Sequence, residues 1–376
     1  KTTLLHLIES QLGNKARYSH RANSSYGIPF DILGLSRKNL TPDEWIFLFL
    51  LAPLKAFKNV PKEKLYIVEA DCDRPGEGKF LASLLKPEVT LWISSSLTHS
   101  VNFDYLVKNK CFLTVEEAIA YEFGFFLQYS QKLAIVNGDS ELIKKQLART
   151  KIPIHLISQT SLKFYKLLKD RTEFIIEDKK YSINFIVPKE VFYSIQMTNH
   201  LMKHLGFSIN PSFPKFVSPA GRNSIFKGIK NTTIMDSTYN ATPDGAKTVL
   251  EMFDKYPAKE KWLVLGDMIE LGDEEKQEHE KLGKIISKVK LEKIILVGPR
   301  VSKFTAPIVP TAKTFLYPLD ARNYIMKNIK GGETILFKGA RFLEGIIEHL
   351  LLNKNDINKL VRREKAWQNR RKAWGL

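Results

Sequence analysis

The first three residues, Lys1, Thr2 and Thr3, are of types that bind nucleotide phosphates and magnesium at the start of a helix. In a phosphate-binding loop a lysine contacts the phosphates and the hydroxyl that follows it coordinates magnesium. The segment from Lys1 to Leu12 has apolar residues at amphipathic spacing, which predicts a helix. These residues are therefore similar to the second half of such a loop. Because its glycines would precede Lys1, we expect the sequence to be a fragment.

Two further candidate ligands follow predicted strands. Glu69 ends a predicted strand at 64–69, and His99 lies in the loop after a predicted strand at 89–94. A carboxylate at the carboxyl end of a strand suits a hard cation such as magnesium, and histidine is a common metal ligand. Two alternatives stay open from the residues alone: Glu69 as a salt-bridged or helix-capping acid, and His99 as a structural histidine.

Three polar motifs follow predicted strands in the second half of the chain. They are Met235-Asp-Ser-Thr-Tyr-Asn-Ala-Thr-Pro243, Gly266-Asp-Met-Ile-Glu-Leu-Gly272 with His279 downstream, and Phe337-Lys-Gly-Ala-Arg341. Sheets of α/β proteins bind ligands at the carboxyl ends of their strands, so these motifs predict a binding site. Taken alone, the residues from Asn240 to Asp244 are also typical of a polar turn and a helix cap.

Together with Gly221-Arg222, these three motifs resemble the C-terminal domain of the Mur ligases, ATP-dependent enzymes that join amino acids to the peptidoglycan precursor. The resemblance is greatest to the members that add D-alanyl-D-alanine. It implies that Arg222 reaches the nucleotide phosphates, that Asp236 lies near the ribose and that Asn240 lies in the cleft. It also implies that Lys338 and Arg341 stabilise anionic groups of the substrate.

The resemblance extends to the first half of the chain, where the segment 21–29 is similar to an Asn-rich loop of the family. It implies that Lys1, Thr2 and Thr3 bind ATP and that Thr2, Glu69 and His99 bind Mg²⁺. The residues expected to act in catalysis are Lys1, His99, Arg222, Lys338 and Arg341. The residues expected to bind the nucleotide are Lys1, Thr2, Thr3, Arg222, Asp236 and Asn240.

Two pairs of positions depart from the family pattern. Phe123 stands where the family has a carbamylated lysine that bridges the magnesium ions, and Phe125 stands where it has a glutamate. Glu190 and Val191 stand where the family has a His-Asn pair that reads adenine, and we expect the nearby Asn199 to be a surface residue. A phenyl ring can neither be carbamylated nor bind a cation through oxygen, so these positions put catalysis in doubt.

Alternating strand and helix patterns predict an α/β fold with mostly parallel sheets. We expect a Mur-ligase-like central nucleotide-binding domain at 1–216 and a Rossmann-like C-terminal domain at 217–376, with the family's N-terminal UDP-binding domain absent. A proline-rich loop at 211–219 marks the boundary. We also expect a turn at 27–29 and a buried core segment at 45–54. Further predicted strands lie at 132–137, 232–235, 261–265, 293–297 and 334–337, and further helices at 116–128 and 191–205.

The composition is that of an ordinary globular protein, with 44% hydrophobic residues and a net charge of +18. The basic residues are scattered, except in the tail at 362–374, which predicts a solvated helix or a contact with nucleic acid or lipid headgroups. Two cysteines, Cys72 and Cys111, give no disulfide or metal-site spacing. With no secretory signal in the sequence, we expect a cytoplasmic monomer with no membrane span, and nucleic acid is not the favoured partner.

The favoured hypothesis is thus an ATP- and Mg²⁺-dependent ligase that joins D-alanyl-D-alanine to a UDP-linked muramoyl peptide through an acyl phosphate. The first alternative is a catalytically impaired Mur-like paralogue that binds a nucleotide or a partner, as Phe123 suggests. The second alternative is a basic scaffold that binds nucleic acid or a membrane through the C-terminal tail.

Overall fold

The structure is a computed structural model that describes residues 1–20, 22–38, 41–57, 63–95, 97–340, 342–374 and 376. The chain divides into two compact units. The first unit comprises residues 1–165, 174–182 and 190–217, and the second comprises 166–173, 183–189 and 218–376. The main division lies between Val217 and Ser218, and two short segments on the amino-terminal side of it group with the second unit.

The elements before the main division alternate between helix and strand. The helices are α1 (Thr2–Leu12), α2 (Gly27–Ile32), α3 (Pro42–Ala56), α4 (Glu77–Leu85), α5 (Asp104–Lys108), α6 (Val115–Tyr129), α7 (Glu141–Lys144) and α8 (Val191–His204). The strands are β1 (Arg17–Tyr18), β2 (Tyr66–Ile67), β3 (Val89–Trp92), β4 (Leu133–Asn137), β5 (Ile154–Ile157), β6 (Leu162–Leu167), β7 (Thr172–Ile176) and β8 (Lys179–Ile183).

The parallel strands of the first unit fall into two separate ladders. Strand β1 pairs with β2, and β3, β4 and β5 form a three-stranded parallel sheet in that order. Strands β6, β7 and β8 form a third small sheet. Strand β4 is buried from Leu133 to Val136, as expected of a parallel strand covered on both faces. Helix α1 packs against α8, and α4 packs against α6.

The second unit is built around one continuous sheet. Its strands are β9 (Ser224–Lys227), β10 (Thr233–Ser237), β11 (Lys261–Gly266), β12 (Lys293–Val297), β13 (Lys313–Phe315) and β14 (Thr334–Lys338). The order is β13-β12-β11-β14-β10-β9, and only β9 is antiparallel to its neighbour. The helices are α9 (Pro243–Lys255), α10 (Glu275–Ile286), α11 (Pro318–Asn328), α12 (Leu343–Leu350) and α13 (Lys365–Ala373).

Local sequence explains both the central strands and the helix that follows the first motif. The side chains from Leu263 to Leu265 in β11 are fully buried, which matches an apolar run covered on both faces of a parallel sheet. Helix α9 begins where the Thr242 hydroxyl accepts a hydrogen bond from the amide of Gly245 at 3.2 Å. Pro243 occupies the first turn, where no backbone donor is needed. The polar motif therefore ends in a well-capped helix.

The predicted strands of the second unit are confirmed within one or two residues, as are α1, α6 and α8. Two predictions in the first unit are wrong. The segment 45–54 lies in α3 and is only partly buried: Leu48 is 4% exposed, whereas Ile46, Phe47 and Leu50 are 64%, 59% and 69% exposed. The residues 27–29 are the first turn of α2, where the Ser24 hydroxyl accepts from the amide of Gly27 at 3.1 Å. Proline is tolerated in a first turn, so Pro29 does not force a loop.

Among the helices that the structure describes, none has the length and apolar composition needed to cross a membrane. Of the two cysteines, Cys72 is buried and Cys111 is exposed, and both are free thiols.

Candidate functional site

Polar residues of the first unit meet where α1 begins and β2 ends. The hydroxyl of Thr2 donates to a carboxylate oxygen of Glu69 at 3.1 Å. The ammonium of Lys1 lies 2.6 Å from a carboxylate oxygen of Asp71. Burial alone would raise the pKa of Asp71, but the ion pair with Lys1, the amide of Cys72 and the charge of His99 together outweigh burial and lower the pKa. Thr3 lies half-buried in the same first turn of α1. The structure therefore brings together Lys1, Thr2 and Glu69, all three of which were singled out in the sequence.

His99 joins this group from the loop after β3. Its Nε2 lies 3.3 Å from a carboxylate oxygen of Asp73, and the residue has a left-handed backbone with φ 53°. One potential ligand atom from each of Asp71, Asp73 and His99 lies within 4.8 Å of the other two. Asp71 and Asp73 had no predicted role, although their position directly after Glu69 could have suggested one. We call Lys1, Thr2, Glu69, Asp71, Asp73 and His99 the first-unit polar cluster.

Phe123 lies beside this cluster, and it is 7% exposed. The ammonium of Lys1 lies 4.6 Å from the centroid of its ring, a cation–π contact. Phe125 is also buried, and the guanidinium of Arg149 lies 4.2 Å from its ring centroid. Phe123 and Phe125 are thus buried packing residues of α6.

The two positions considered for adenine recognition, Glu190 and Val191, lie at the start of α8, and Asn199 lies further along the same helix. Asn199 is 6% exposed, so the prediction that it is a surface residue is wrong. Helix α8 is buried on nearly all sides from Val191 to Asn199, which the mixed polar and apolar sequence of the helix did not reveal. Glu190 precedes the helix as its N-terminal flanking residue.

A second cluster lies at the carboxyl ends of β10 and β14 in the second unit. Asp236 is fully buried, and its Oδ1 accepts from the amide and the hydroxyl of Thr238 at 3.0 and 2.7 Å. Its Oδ2 has no hydrogen-bond partner among the described residues. Burial raises the pKa of this carboxyl group. A buried polar atom without a partner is costly, so Oδ2 is available to a ligand donor.

Lys338 lies at the same edge of the sheet, because it is in register with Ser237 of the neighbouring strand. Its ammonium donates to the carbonyl of Asn240 at 2.7 Å, and its side chain is buried. Burial lowers the pKa of Lys338 to about 7, and the charge of Arg222 acts in the same direction. A buried, partly deprotonated lysine gains its full charge when an anion binds nearby. We call Arg222, Asp236, Asn240 and Lys338 the second-unit polar cluster.

Arg222 reaches this cluster from the loop before β9. Its guanidinium lies 4.4 Å from the ring centroid of Tyr239. Gly221 has a left-handed backbone with φ 67°, and its carbonyl accepts from the amide of Tyr239 at 3.2 Å. A side chain at position 221 would be strained and would collide with that amide. The predicted site residue Arg341 lies outside the described residues.

Two residues of the second motif, Asp267 and His279, fix the loop after β11. Asp267 Oδ1 accepts from the amides of Arg300 and Val301, each at 3.0 Å. The amide of Met268 donates to Nε2 of His279 at 3.2 Å, so the histidine must donate from Nδ1 to the carbonyl of Glu275 at 2.7 Å. Burial lowers the pKa of His279, which keeps this neutral tautomer.

Arg362 holds the loop after β10, a role that its place in the basic tail did not indicate. Its guanidinium donates to the carbonyls of Thr238 at 3.0 Å and Tyr239 at 2.7 Å, and it lies 3.3 Å from a carboxylate oxygen of Glu344. The guanidinium of Arg371 in α13 donates to the carbonyl of Arg362 at 3.0 Å and is 6% exposed. Arg362 and Arg371 of the basic tail are thus packed against the loop after β10 and against α12, so the tail is not fully solvated.

The two units together have the class of fold found in ATP-dependent ligases of the Mur type. A sequence model described as "Mur ligase, glutamate ligase domain" matches residues 221–341. The solved structure of MurF ligase from Thermotoga maritima in complex with ADP superposes with a TM-score of 0.74 at 20% identity, covering 95% of this chain and 78% of that chain. Residues 221–341 thus match the C-terminal domain of the Mur ligases, and the fold of the chain is similar to that of a MurF ligase.

Curated relatives carry the name UDP-N-acetylmuramoyl-tripeptide–D-alanyl-D-alanine ligase. The protein from Rickettsia prowazekii is 26% identical over 294 residues, which cover 73% of this chain and 63% of the relative. The protein from Buchnera aphidicola is 24% identical over 323 residues, which cover 80% of this chain and 68% of the relative. The chain therefore spans about two thirds of the length of the relatives it matches.

Proposed function

We propose that this chain is an ATP-dependent ligase of the cytoplasm, which joins D-alanyl-D-alanine to a UDP-linked muramoyl tripeptide. The observation that carries the proposal is the second-unit polar cluster. It places a buried lysine of lowered pKa next to a buried aspartate with an unpaired oxygen, at the carboxyl ends of adjacent strands. The names and coverage of the curated relatives support the same reaction.

The reaction requires the γ-phosphate of ATP to pass to a carboxylate, after which an amine displaces phosphate and the amide forms. Negative charge develops on the transferred group, so fixed cations stabilise the transition state. Lys1 and Thr2 would contact the phosphates from the start of α1. Asp236 Oδ2 would accept a hydrogen bond from a ribose hydroxyl, and Lys338 would become charged when an anionic group binds beside it.

Mg²⁺ is the metal we propose, and the donor set of the first-unit polar cluster fits it. The hydroxyl of Thr2 and the carboxylate of Glu69 are 3.1 Å apart, and the oxygens of Asp71 and Asp73 lie close to the imidazole of His99. Hydroxyl and carboxylate oxygens are the ligands that Mg²⁺ prefers. When bound, the ion would neutralise phosphate charge.

A second candidate function is nucleotide binding without turnover, and Phe123 favours it. The ring lies beside Lys1, where the family's carbamylated lysine would supply a carboxylate for the metal. Asp71 supplies a carboxylate in the same cluster, but Lys1 forms an ion pair with it at 2.6 Å. If that ion pair persists when ATP is bound, Asp71 cannot replace the missing group.

The test is phosphate release from ATP and Mg²⁺ with UDP-linked muramoyl tripeptide and D-alanyl-D-alanine. The ligase proposal expects release that stops when the dipeptide is omitted. It also expects Lys338→Met to lower turnover at least 100-fold, whereas Lys330→Met, at an exposed position, should leave turnover unchanged. ATP binding without release would support the second candidate. Absence of both binding and release would overturn both proposals.

A further inference from the structure

Two histidines of the first unit converge on one carboxylate, and none of the three residues belongs to the first-unit polar cluster. His20 Nε2 lies 2.9 Å from one carboxylate oxygen of Glu9, and His6 Nδ1 lies 3.6 Å from the other. One potential ligand atom from each of the three residues lies within 4.8 Å of the other two. The ring centroids of His6 and His20 are 4.9 Å apart. We call these residues the His6–Glu9–His20 cluster.

The three side chains project from segments whose backbone is held in place. His6 and Glu9 are three residues apart in α1, so they lie on the same face of that helix. His20 follows Ser19, which is buried and whose amide donates to the carbonyl of Ile67 at 3.1 Å. The donors thus come from two different segments, each held by its own backbone hydrogen bonds. A cluster built in this way is preorganised for a ligand.

Tyr18 supports the orientation of the His20 ring. The two rings are stacked, with centroids 5.8 Å apart and planes 26° apart. The hydroxyl of Tyr18 donates to the carbonyl of Gly13 at 2.9 Å, at the end of α1. A residue that orients a ligating histidine strengthens metal binding. Tyr18 therefore ties His20 to the helix that carries the other two donors.

The donor set determines the class of ligand. Two imidazole nitrogens and one carboxylate oxygen are the protein ligands of zinc sites that keep a fourth position for water. Mg²⁺ prefers oxygen ligands in octahedral geometry, so it does not suit this set. Zinc bonds of about 2.0–2.2 Å place neighbouring tetrahedral donors about 3.4 Å apart. The separations of 2.9 and 3.6 Å in the cluster lie on either side of that value.

The cluster is open to solvent on one side. The side chains of His6, Glu9 and His20 are 21%, 36% and 37% exposed, so an ion can enter and water can complete its coordination. Ion pairs this close to the surface contribute little to stability. The convergence of three metal-binding side chains is therefore better explained by a ligand than by stabilisation of the fold.

We propose that the His6–Glu9–His20 cluster binds one Zn²⁺ ion, with a water molecule in the fourth position. The ion joins α1 to the segment after β1. In that segment the carbonyl of Asn23 accepts from the amide of Asp71 at 2.7 Å, so the ion also stabilises the backbone beside the first-unit polar cluster. The inference rests on the His6–Glu9–His20 cluster alone and is independent of the ligase reaction.

Zinc titration of the chain, first stripped of metal with a chelator, tests the proposal. Competition with a chromophoric chelator, in excess Mg²⁺, measures the dissociation constant. The expected result is one Zn²⁺ per chain, bound at least about tenfold more weakly by His20→Ala and by Glu9→Gln. His155→Ala is the matched control, because its ring also lies 4.9 Å from another histidine ring but in neither of the metal-binding groups found among the described residues. Unchanged affinity in His20→Ala, or equal weakening in His155→Ala, would indicate an adventitious ion only and would overturn the proposal.

A second measurement identifies a ligand directly and covers the case in which the alanine variant does not fold. Co²⁺ replaces Zn²⁺ as a coloured probe, and His6→Cys should add a sulfur-to-cobalt charge-transfer band, because a thiolate then coordinates the ion. His155→Cys should add no such band. Absence of the band in His6→Cys, or an equal band in His155→Cys, would overturn the proposal. Loss of Zn²⁺ in His99→Ala alone would overturn it too, since the ion would then belong to the first-unit polar cluster.

Discussion

At the scale of single residues, the burial of Lys338 lowers its pKa, so the charge of its side chain depends on whether an anion is bound nearby. The pKa is lowered to about 7 in the free protein, so at pH 8 most molecules carry a neutral amine at this position. A bound phosphate or carboxylate would favour the charged form and raise the pKa. When an anion binds, the Lys338 ammonium would exchange its hydrogen bond to the Asn240 carbonyl for a contact with that anion.

We therefore predict that ATP binding at pH 8 is accompanied by uptake of about one proton. The measurement is calorimetric titration in two buffers that differ in their enthalpy of ionisation. Lys338→Met should remove most of the uptake, and Lys330→Met should not change it. If the uptake were the same in Lys338→Met as in the unmodified protein, the proton would belong to another group.

Gly266, the last residue of β11, lies very close to the backbone of Ala340, which follows β14. A Cβ at position 266 would lie 2.1 Å from the carbonyl oxygen of Ala340, which is backbone and cannot move aside. We predict that Gly266→Ala lowers the free energy of unfolding by about 3 kcal/mol, measured by urea denaturation.

The control is Gly332→Ala, where φ is 86° and no atom lies within 4 Å of the added Cβ. This substitution introduces only backbone strain and should lower the free energy of unfolding by about 1 kcal/mol. Equal losses in the two variants would mean that the contact between Gly266 and Ala340 is not as close as the structure shows.

At the scale of elements, the C-terminal segment supports the loop that follows β10. Arg362 bonds to two successive carbonyls of this loop, and Arg371 in α13 holds Arg362. Arg363 is also paired, 2.6 Å from Glu348 of α12. Several basic residues of the tail are thus engaged within the second unit, which weakens the hypothesis that the tail is a binding surface for nucleic acid or lipid.

We predict that Arg362→Lys weakens ATP binding about fivefold, because an ammonium cannot bond both carbonyls in the fixed geometry of a guanidinium. Hydrogen exchange of the amides from Thr238 to Asn240 should become faster while the helical circular dichroism stays the same. Arg370→Lys, at an exposed position of α13, is the matched control. Unchanged exchange in Arg362→Lys would show that the loop is held by other contacts.

The elements that were predicted best from the sequence are those in which every residue is buried to a similar extent. The apolar run of β12 was placed at its observed bounds, because both faces of a parallel strand are buried. In contrast, the apolar run of α3 looks like a core segment, and nothing in it shows that Phe47 is exposed. The composition of a segment shows how apolar it is, but it does not show whether other parts of the protein pack against it.

Prediction of the candidate site from the sequence was limited in the same way, because contacts between distant residues are not visible in it. Lys1, Thr2 and Glu69 were found because each stands beside a motif or at a strand end, and the structure brings them together. Arg300 and Arg362 were missed because their partners, Asp267 and the loop after β10, are distant in sequence. A contact between residues that are far apart along the chain leaves no local pattern to recognise.

At the scale of the whole molecule, the two units differ in how their sheets are built. The second unit has one six-stranded sheet with fully buried central strands. The parallel strands of the first unit are divided between a two-stranded and a three-stranded ladder, with a cavity of about 370 Å³ between β2 and β3. Unfilled volume forfeits packing energy, and short ladders lose cooperativity, so the first unit should be the less stable one.

We predict that the two units unfold separately in urea, the first unit at the lower concentration. Strands β4 and β11 are suitable probes because both are buried parallel strands, one in each unit. Pulsed hydrogen exchange along a urea series should show the amides of β4 becoming exposed before those of β11. Coincident midpoints for the two strands would mean that the units unfold as one and that the cavity between β2 and β3 does not limit stability.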